Sequence, residues 1–271
     1  MARSLFIVQG EGRGHLSQSL ALKEYLEEEG HSVEAVFVGS KPSGEIPAYY
    51  TDIFKDKLTR FSSPGFLRTP NKKGIYVGRT LLYNLSRSFT YLRELRTIRR
   101  SIRALKPDVV FNFYDVLGAL AMRKIPREIR RIGIGHHFFL HLDGYRCGGG
   151  SPFHKVLLKL HTSLVLSSCD RVLALSFREH PGSERMEVLP PLVRKKFREA
   201  RYEGGRDYLV YLLNEGFVVE LIRLAREHPD LSFDLFSDLP LSTDVPKGIR
   251  LHRADDAAFL EKMKRCRGVI C

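Results

Sequence analysis

Cysteine is scarce in this sequence, and the four present have no regular spacing. Cys147, Cys169, Cys266 and Cys271 form no CxxC pair, which argues against zinc or a disulfide framework and suits a reducing cytoplasm. Long apolar runs are lacking too. The opening run, Leu5 to Val8, is too short for a signal-peptide core, and no stretch approaches the length that spans a bilayer. Any membrane contact is therefore expected to be peripheral. Acidic residues are in deficit, with 31 Asp and Glu against 44 Lys and Arg and a formal net charge of +13. That excess points to an anionic partner: nucleic acid, an acidic membrane surface or a phosphorylated substrate. What remains is ordinary for a globular protein, at 43% hydrophobic and 28% charged. The 271 residues are long for one core and short for two full domains.

The apolar pattern alternates between short continuous runs and helical periods. Leu5–Val8 and Val33–Val38 read as buried parallel strands flanking a helix over Leu16–Glu29, which Gly30 ends. A weak strand is expected at Leu58–Ser62. One long amphipathic helix follows, with Leu85, Phe89, Leu92, Leu95, Ile98, Ile102 and Leu105 on its apolar face. Arginines from Arg93 to Arg103 take the other face, and Pro107 marks the end. "DVVFNFYD", "RIGIG", "RVLALS" and "MEVLPPLV" are further strands, with a helix over "PFHKVLLKLHTSLVLSSC". This is a doubly wound α/β pattern through residue 193. Residues 194–206 have almost no apolar content and read as a linker. From 207 to 271 a second alternating block begins, and it is still incomplete when the sequence ends on "GVIC".

The turn "GEGRGH" carries the chemistry. Glycines before a helix N-terminus let a polar ligand approach unpaired backbone N–H groups, although a tight βα turn uses glycine as well. Gly10, Gly12 and Gly14 do not make a dinucleotide fingerprint: His15 stands near the last glycine's place, and the second strand ends "VFVGS" without an acidic residue. No Lys-Ser/Thr pair follows, so a P-loop is excluded. In a doubly wound sheet the first and fourth strands are neighbours, with ligands beyond their carboxyl ends. His15 follows the first strand, and Asp115 ends the fourth. They either meet as a base and its carboxylate or remain a helix-start histidine and a strand-end aspartate. His136 and His137 follow another strand and are candidates for the same ligand. His31, His154, His161, His180, His228 and His252 lack a constellation and read as structural or surface residues.

The segment "FIVQGEGRGHLSQSLALKEYLEEEGHSVEAVFVG" resembles the opening of GT-B glycosyltransferases. Within them it is most similar to the UDP-N-acetylglucosamine transferases of peptidoglycan synthesis and the diacylglycerol glycosyltransferases. "KPDVVFNFYDVLGALA" and "RIGIGHHFFLH" resemble their later strand segments. The resemblance implies an α/β fold of two Rossmann-like domains, with the acceptor on residues 1–193 and the donor on residues 207–271. It implies transfer from a nucleoside diphosphate sugar to an acceptor hydroxyl, with no metal and no cofactor beyond that donor. His15 would be the base and Asp115 its support, with Gly12, Arg13, Gly14, His136 and His137 on the acceptor side. Gln9 and Glu11 depart from the family turn. The family's later glycine-rich donor turn, which would follow "CRGVIC", is not in the sequence, so donor binding is expected to be weakened.

Two other classes stay open. A non-hydrolysing sugar-nucleotide epimerase shares the fold, and a non-catalytic acceptor-binding subunit would lack the donor turn. Nucleic-acid binding through the arginine helix ranks last, because no zinc finger or aromatic RNA-reading motif accompanies it. The basic helix and the aromatic-rich segment 62–83 suggest a lipid or glycan acceptor and contact with an anionic membrane, on the cytoplasmic side.

Overall fold

The computed structural model describes the chain except at positions 43, 68, 70–73, 143–144, 146–151, 213–214, 238–244 and 254. Cys147 and part of the aromatic-rich segment 62–83 lie outside the described residues. Two compact units divide the chain: residues 1–65 with 81–195, and residues 66–80 with 196–271. The sequence reading placed 66–80 in the first domain and left 194–206 as linker.

In chain order, the first unit has β1 (Arg3–Gln9), α1 (Gly14–Glu28), β2 (Ser32–Ser40), α2 (Ala48–Phe54) and β3 (Leu58–Ser62). Then come α3 (Val77–Ser86), which starts in segment 66–80, α4 (Ser88–Leu105), β4 (Val109–Phe113) and α5 (Val116–Met122). The unit closes with β5 (Arg130–Ile134), α6 (Pro152–Leu166), β6 (Arg171–Leu175) and β7 (Met186–Leu189). A short α7 (Lys195–Arg198) interrupts the expected linker. The second unit has β8 (Asp207–Tyr211), α8 (Val218–Glu227), β9 (Phe233–Phe236), β10 (Ile249–His252), α9 (Asp256–Lys264) and β11 (Cys266–Ile270).

Seven strands of the first unit pair in parallel in the order β3-β2-β1-β4-β5-β6-β7. The direction of winding reverses between β1 and β4, the switch point where such sheets open a crevice at their carboxyl ends. β1 shows why its sequence is an unbroken apolar run. Leu5 and Ile7 join a core with Ile98, Ile102, Leu117 and Val165. Phe6 and Val8 join the opposite core with Leu16, Leu20, Tyr50 and Phe54. Both faces are covered, so alternation disappears. The second unit repeats the plan in a parallel sheet ordered β10-β9-β8-β11, again with a switch point, between β8 and β11.

The long amphipathic helix is two helices, α3 and α4, that break at Arg87. The Ser86 hydroxyl bonds back to the Tyr83 carbonyl at 2.8 Å, which competes with the helical ladder. Asn84 is held from both sides, by the Gly65 backbone and by the Tyr91 hydroxyl at 2.9 Å. Only the second half of the expected apolar stripe is covered: Ile98 and Ile102 are buried, while Leu85, Phe89 and Leu92 face solvent.

Candidate active site

The candidate site lies within the first unit, at the carboxyl ends of β1, β4 and β5. β1 delivers the glycine turn and His15 in the first turn of α1. Gly12 has φ +102°, a backbone that other residues rarely adopt, and a side chain there or at Gly14 would meet open space. Gly10 is different, since a Cβ there would lie 2.8 Å from Val38 Cγ1. So the first glycine serves packing, the second conformation, and the third leaves room. Arg13 lies over the Tyr49 ring, 5.9 Å from its centroid, and Arg194 approaches the same ring at 5.7 Å. Glu11, a departure from the family turn, pairs with Lys41 at 3.3 Å.

β4 ends in a turn locked by its own side chains. Asn112 accepts from Asp115 N–H at 2.8 Å and donates to the Asp115 carbonyl at 2.9 Å. Asp115 caps α5 by accepting from Gly118 N–H at 2.7 Å, and it accepts from the Ser63 hydroxyl at 2.6 Å. Between them Tyr114 is forced to φ +63°, a strained value for a bulky residue. The room for this arrangement comes from Gly39, whose Cβ would lie 2.4 Å from Asp115 Oδ2.

The strained tyrosine is the centre of an aromatic cluster. Its ring stacks on His137 at 4.2 Å and on His161 at 5.0 Å, and His15 lies parallel at 6.0 Å. His136 and His137, in the turn after β5, contact each other at 3.8 Å and reach His15 at 6.2 and 6.0 Å. Thr162 already donates to the Leu158 carbonyl, so the Tyr114 hydroxyl donates to Thr162. The structure therefore gathers His15, His136 and His137, the three histidines singled out in the sequence. It also recruits Tyr114 and His161, which the sequence reading passed over. α6 brings His161 onto the Tyr114 ring, so of structural and surface, the two places expected for it, it takes the structural one.

The structure also bears on the expected pairing of His15 with Asp115. They occupy adjacent strand ends, yet they make no hydrogen bond with each other. Asp115 spends its oxygens on Ser63 and Gly118, while His15 Nδ1 is buried with no partner. Burial, then the nearby His136, lowers the His15 pKa to about 4. Burial first, then His136, His15 and His161, lowers His137 to about 3. Burial also lowers His136 and His161. The imidazoles are thus neutral near pH 7, each with a lone pair. Burial raises Asp115 to about 6 against its stabilising bonds from Ser63 and the α5 backbone. Among the described residues no group of three His, Cys, Asp or Glu could hold a metal ion.

Residues 2–271 match the family described as glycosyl transferase family 1. The chain belongs to that family. No curated protein sequence matches it. Among solved structures, this family 1 chain is similar to MurG of Acinetobacter baumannii, with 14% identity, TM-score 0.50, and coverage of 100% of this chain and 73% of that one. The spinosyn rhamnosyltransferase SpnG, complexed with thymidine diphosphate, matches at 15% identity and TM-score 0.55, over 99% of this chain and 75% of its own. A protein from Listeria monocytogenes described as a UDP-N-acetylglucosamine 2-epimerase matches at 11% identity and TM-score 0.60, over 99% and 73%. At these identities the neighbours show the GT-B fold of two Rossmann-like domains, and both parallel sheets of the family 1 chain agree with it.

The second unit carries its own opening. A cavity of about 320 Å³ lies at the carboxyl ends of β8 and β11, lined by Val210, Leu212, Leu221, Leu224 and Ile270 among others. It sits where the switch point of that sheet places a ligand.

Proposed function

We propose that this chain acts in glycosyl transfer from a nucleoside diphosphate sugar to an acceptor hydroxyl, with His15 as the base. The observation that carries the reading is the position of a neutral imidazole at the mouth of the β1/β4 crevice, in a chain of this family. His15 takes the acceptor's hydroxyl proton. The freed oxygen bonds to the anomeric carbon of the donor, and the bond to the diphosphate breaks, which leaves with its electron pair. Because His15 Nδ1 is buried, Nε2 is the nitrogen assigned to the acceptor. Asp115 acts by position: it fixes the turn that aims Tyr114 at the histidines. Gly12, Arg13, Gly14, His136 and His137 line the acceptor side. The second unit takes the donor, a reading supported by its Rossmann-like strand order and by the thymidine diphosphate in SpnG.

A lipid or glycoconjugate acceptor at an anionic membrane on the cytoplasmic side fits the exposed apolar stripe on α3 and α4. Leu81, Leu82, Leu85 and Phe89 are all more than half exposed, and arginines follow from Arg93 onward. No helix among the described residues is long and apolar enough to cross a membrane.

The test is a turnover assay on the purified protein with UDP-N-acetylglucosamine, with and without a lipid-linked sugar acceptor presented on vesicles. Acceptor-dependent release of UDP, lost in His15→Ala, is expected. Conversion of the sugar without acceptor would favour epimerase chemistry instead. UDP release that persists in His15→Ala would remove the base assignment.

A further inference from the structure

The tautomer of His15 needs a partner that the sequence reading gave to Asp115, and the structure gives that carboxylate other work. A histidine acting through Nε2 must hold its proton on Nδ1, and the bond made by Nδ1 decides this. Three neighbours do not supply it, being engaged elsewhere. Asp115 is bonded to Ser63 and Gly118, the Tyr114 hydroxyl is bonded to Thr162, and Ser19 bonds the Leu16 carbonyl and the Tyr50 hydroxyl.

On α1 itself one acceptor remains. Gln18 stands three residues after His15 on α1, so the two side chains share one face of the helix. Gln18 Oε1 and His15 Nδ1 are both buried, and both lack a hydrogen-bond partner. An imidazole N–H donates and an amide oxygen accepts, so the two orphans are complementary, and one bond would relieve both. We propose that Gln18 is the positioning residue of the site: its Oε1 accepts from His15 Nδ1–H, fixing the tautomer that leaves Nε2 bare toward the acceptor.

One further observation agrees. Gln18 is the one side chain close enough to favour the His15 imidazolium, opposing burial and His136. The role of the bare nitrogen rests on the glycosyl-transfer reading; the tautomer itself does not.

The experiment is therefore spectroscopic and uses no substrate. Histidine labelled with 15N in the ring is incorporated into the wild type, Gln18→Leu and Gln18→Glu, and one-bond and long-range 15N–1H correlations are recorded at pH 7.5 and through an acid titration. His15→Gln assigns the signals. The wild type is expected to show one neutral tautomer with the proton on Nδ1. Gln18→Leu should give a mixture of tautomers. Gln18→Glu, of nearly the same shape, should keep the Nδ1 proton and raise the His15 titration midpoint by at least tenfold in proton concentration. The groups facing His15 are His136, His137 and Tyr114 from the β5 and β4 turns, and these are unchanged in all three proteins. A wild-type proton on Nε2, or a tautomer unaltered in Gln18→Leu with no midpoint shift in Gln18→Glu, would overturn the proposal. Either result stands apart from whether sugar transfer is found.

Discussion

At the scale of single residues, the crevice holds groups whose burial works against their charge. Asp115 has a folded pKa of about 6 against an ordinary value of 3.8. A raised carboxylate favours the fold when protonated, and this contribution is lost as pH rises through 4 to 6. Asp115→Asn keeps an oxygen to cap Gly118, and the Ser63 hydroxyl is able to turn and accept from the new amide. Relative to wild type, this variant should gain about 2 kcal/mol of stability between pH 4 and pH 8. Urea unfolding at the two pH values measures it, and a gap that does not grow with pH would contradict the buried, high-pKa carboxylate. The histidines run the other way. His15 and His137 are lowered to about 4 and about 3, so the unfolded chain takes up protons below pH 6.5 that the folded chain refuses. Their share of stability is present above pH 6.5 and disappears on acidification. His137→Phe keeps the stack on Tyr114 and should flatten the acid-side fall in melting temperature. A slope as steep as that of wild type would show that His137 titrates normally in the fold.

At the scale of elements, the strands around the crevice were readable because each is an apolar run stopped by glycine or a polar residue. β3 coincides with the weak strand expected at Leu58–Ser62, and β4 and β6 fall inside the segments read from sequence. His15, His136 and His137 were legible for the same reason, since each follows such a strand. The α3/α4 break was not legible, because it depends on Ser86 and Asn84 bonding to groups fixed by tertiary packing. Nor was His161, whose approach to Tyr114 requires α6 to pack beside α5. The second unit has an element-level device that periodicity also hides. Asp234 of β9, buried between β8 and β10, bonds Arg250 at 2.9 Å and His252 at 2.7 Å, and Lys262 of α9 lies 3.2 Å away. Burial would raise this carboxyl, but the three cationic or donor groups together hold it well below the usual range. Asp234→Ala would leave Arg250 with Asp207 alone and take this partner from His252 and Lys262, at a cost of about 1 kcal/mol to this unit because the two cations are partly exposed. Hydrogen exchange of the β8–β10 amides should accelerate accordingly. Unchanged protection there would mean that solvent, rather than Asp234, balances these charges.

At the scale of the whole molecule, the excess of +13 acquires a direction from what the helices leave uncovered. An amphipathic stripe normally packs on a core, yet Phe89 is 85% exposed, and Leu81, Leu82 and Leu85 are about two-thirds exposed. The same helix α4 that buries Ile98 and Ile102 thus presents apolar side chains at its N-terminal end, with an arginine-rich surface following. Apolar burial and charge attraction together are what hold a peripheral helix at an anionic interface, and each fails differently. The protein should sediment with phosphatidylglycerol-containing vesicles at ~20 mM salt, release at ~0.5 M salt, and ignore pure phosphatidylcholine. Leu85→Ser with Phe89→Ser should weaken vesicle binding while shifting stability by no more than about 0.5 kcal/mol per site, since neither side chain is buried. Arg96→Glu should weaken the salt-sensitive part without touching the apolar stripe. Full binding by the double serine variant would assign the contact to charge alone, and no binding by wild type at low salt would leave the stripe without a membrane role.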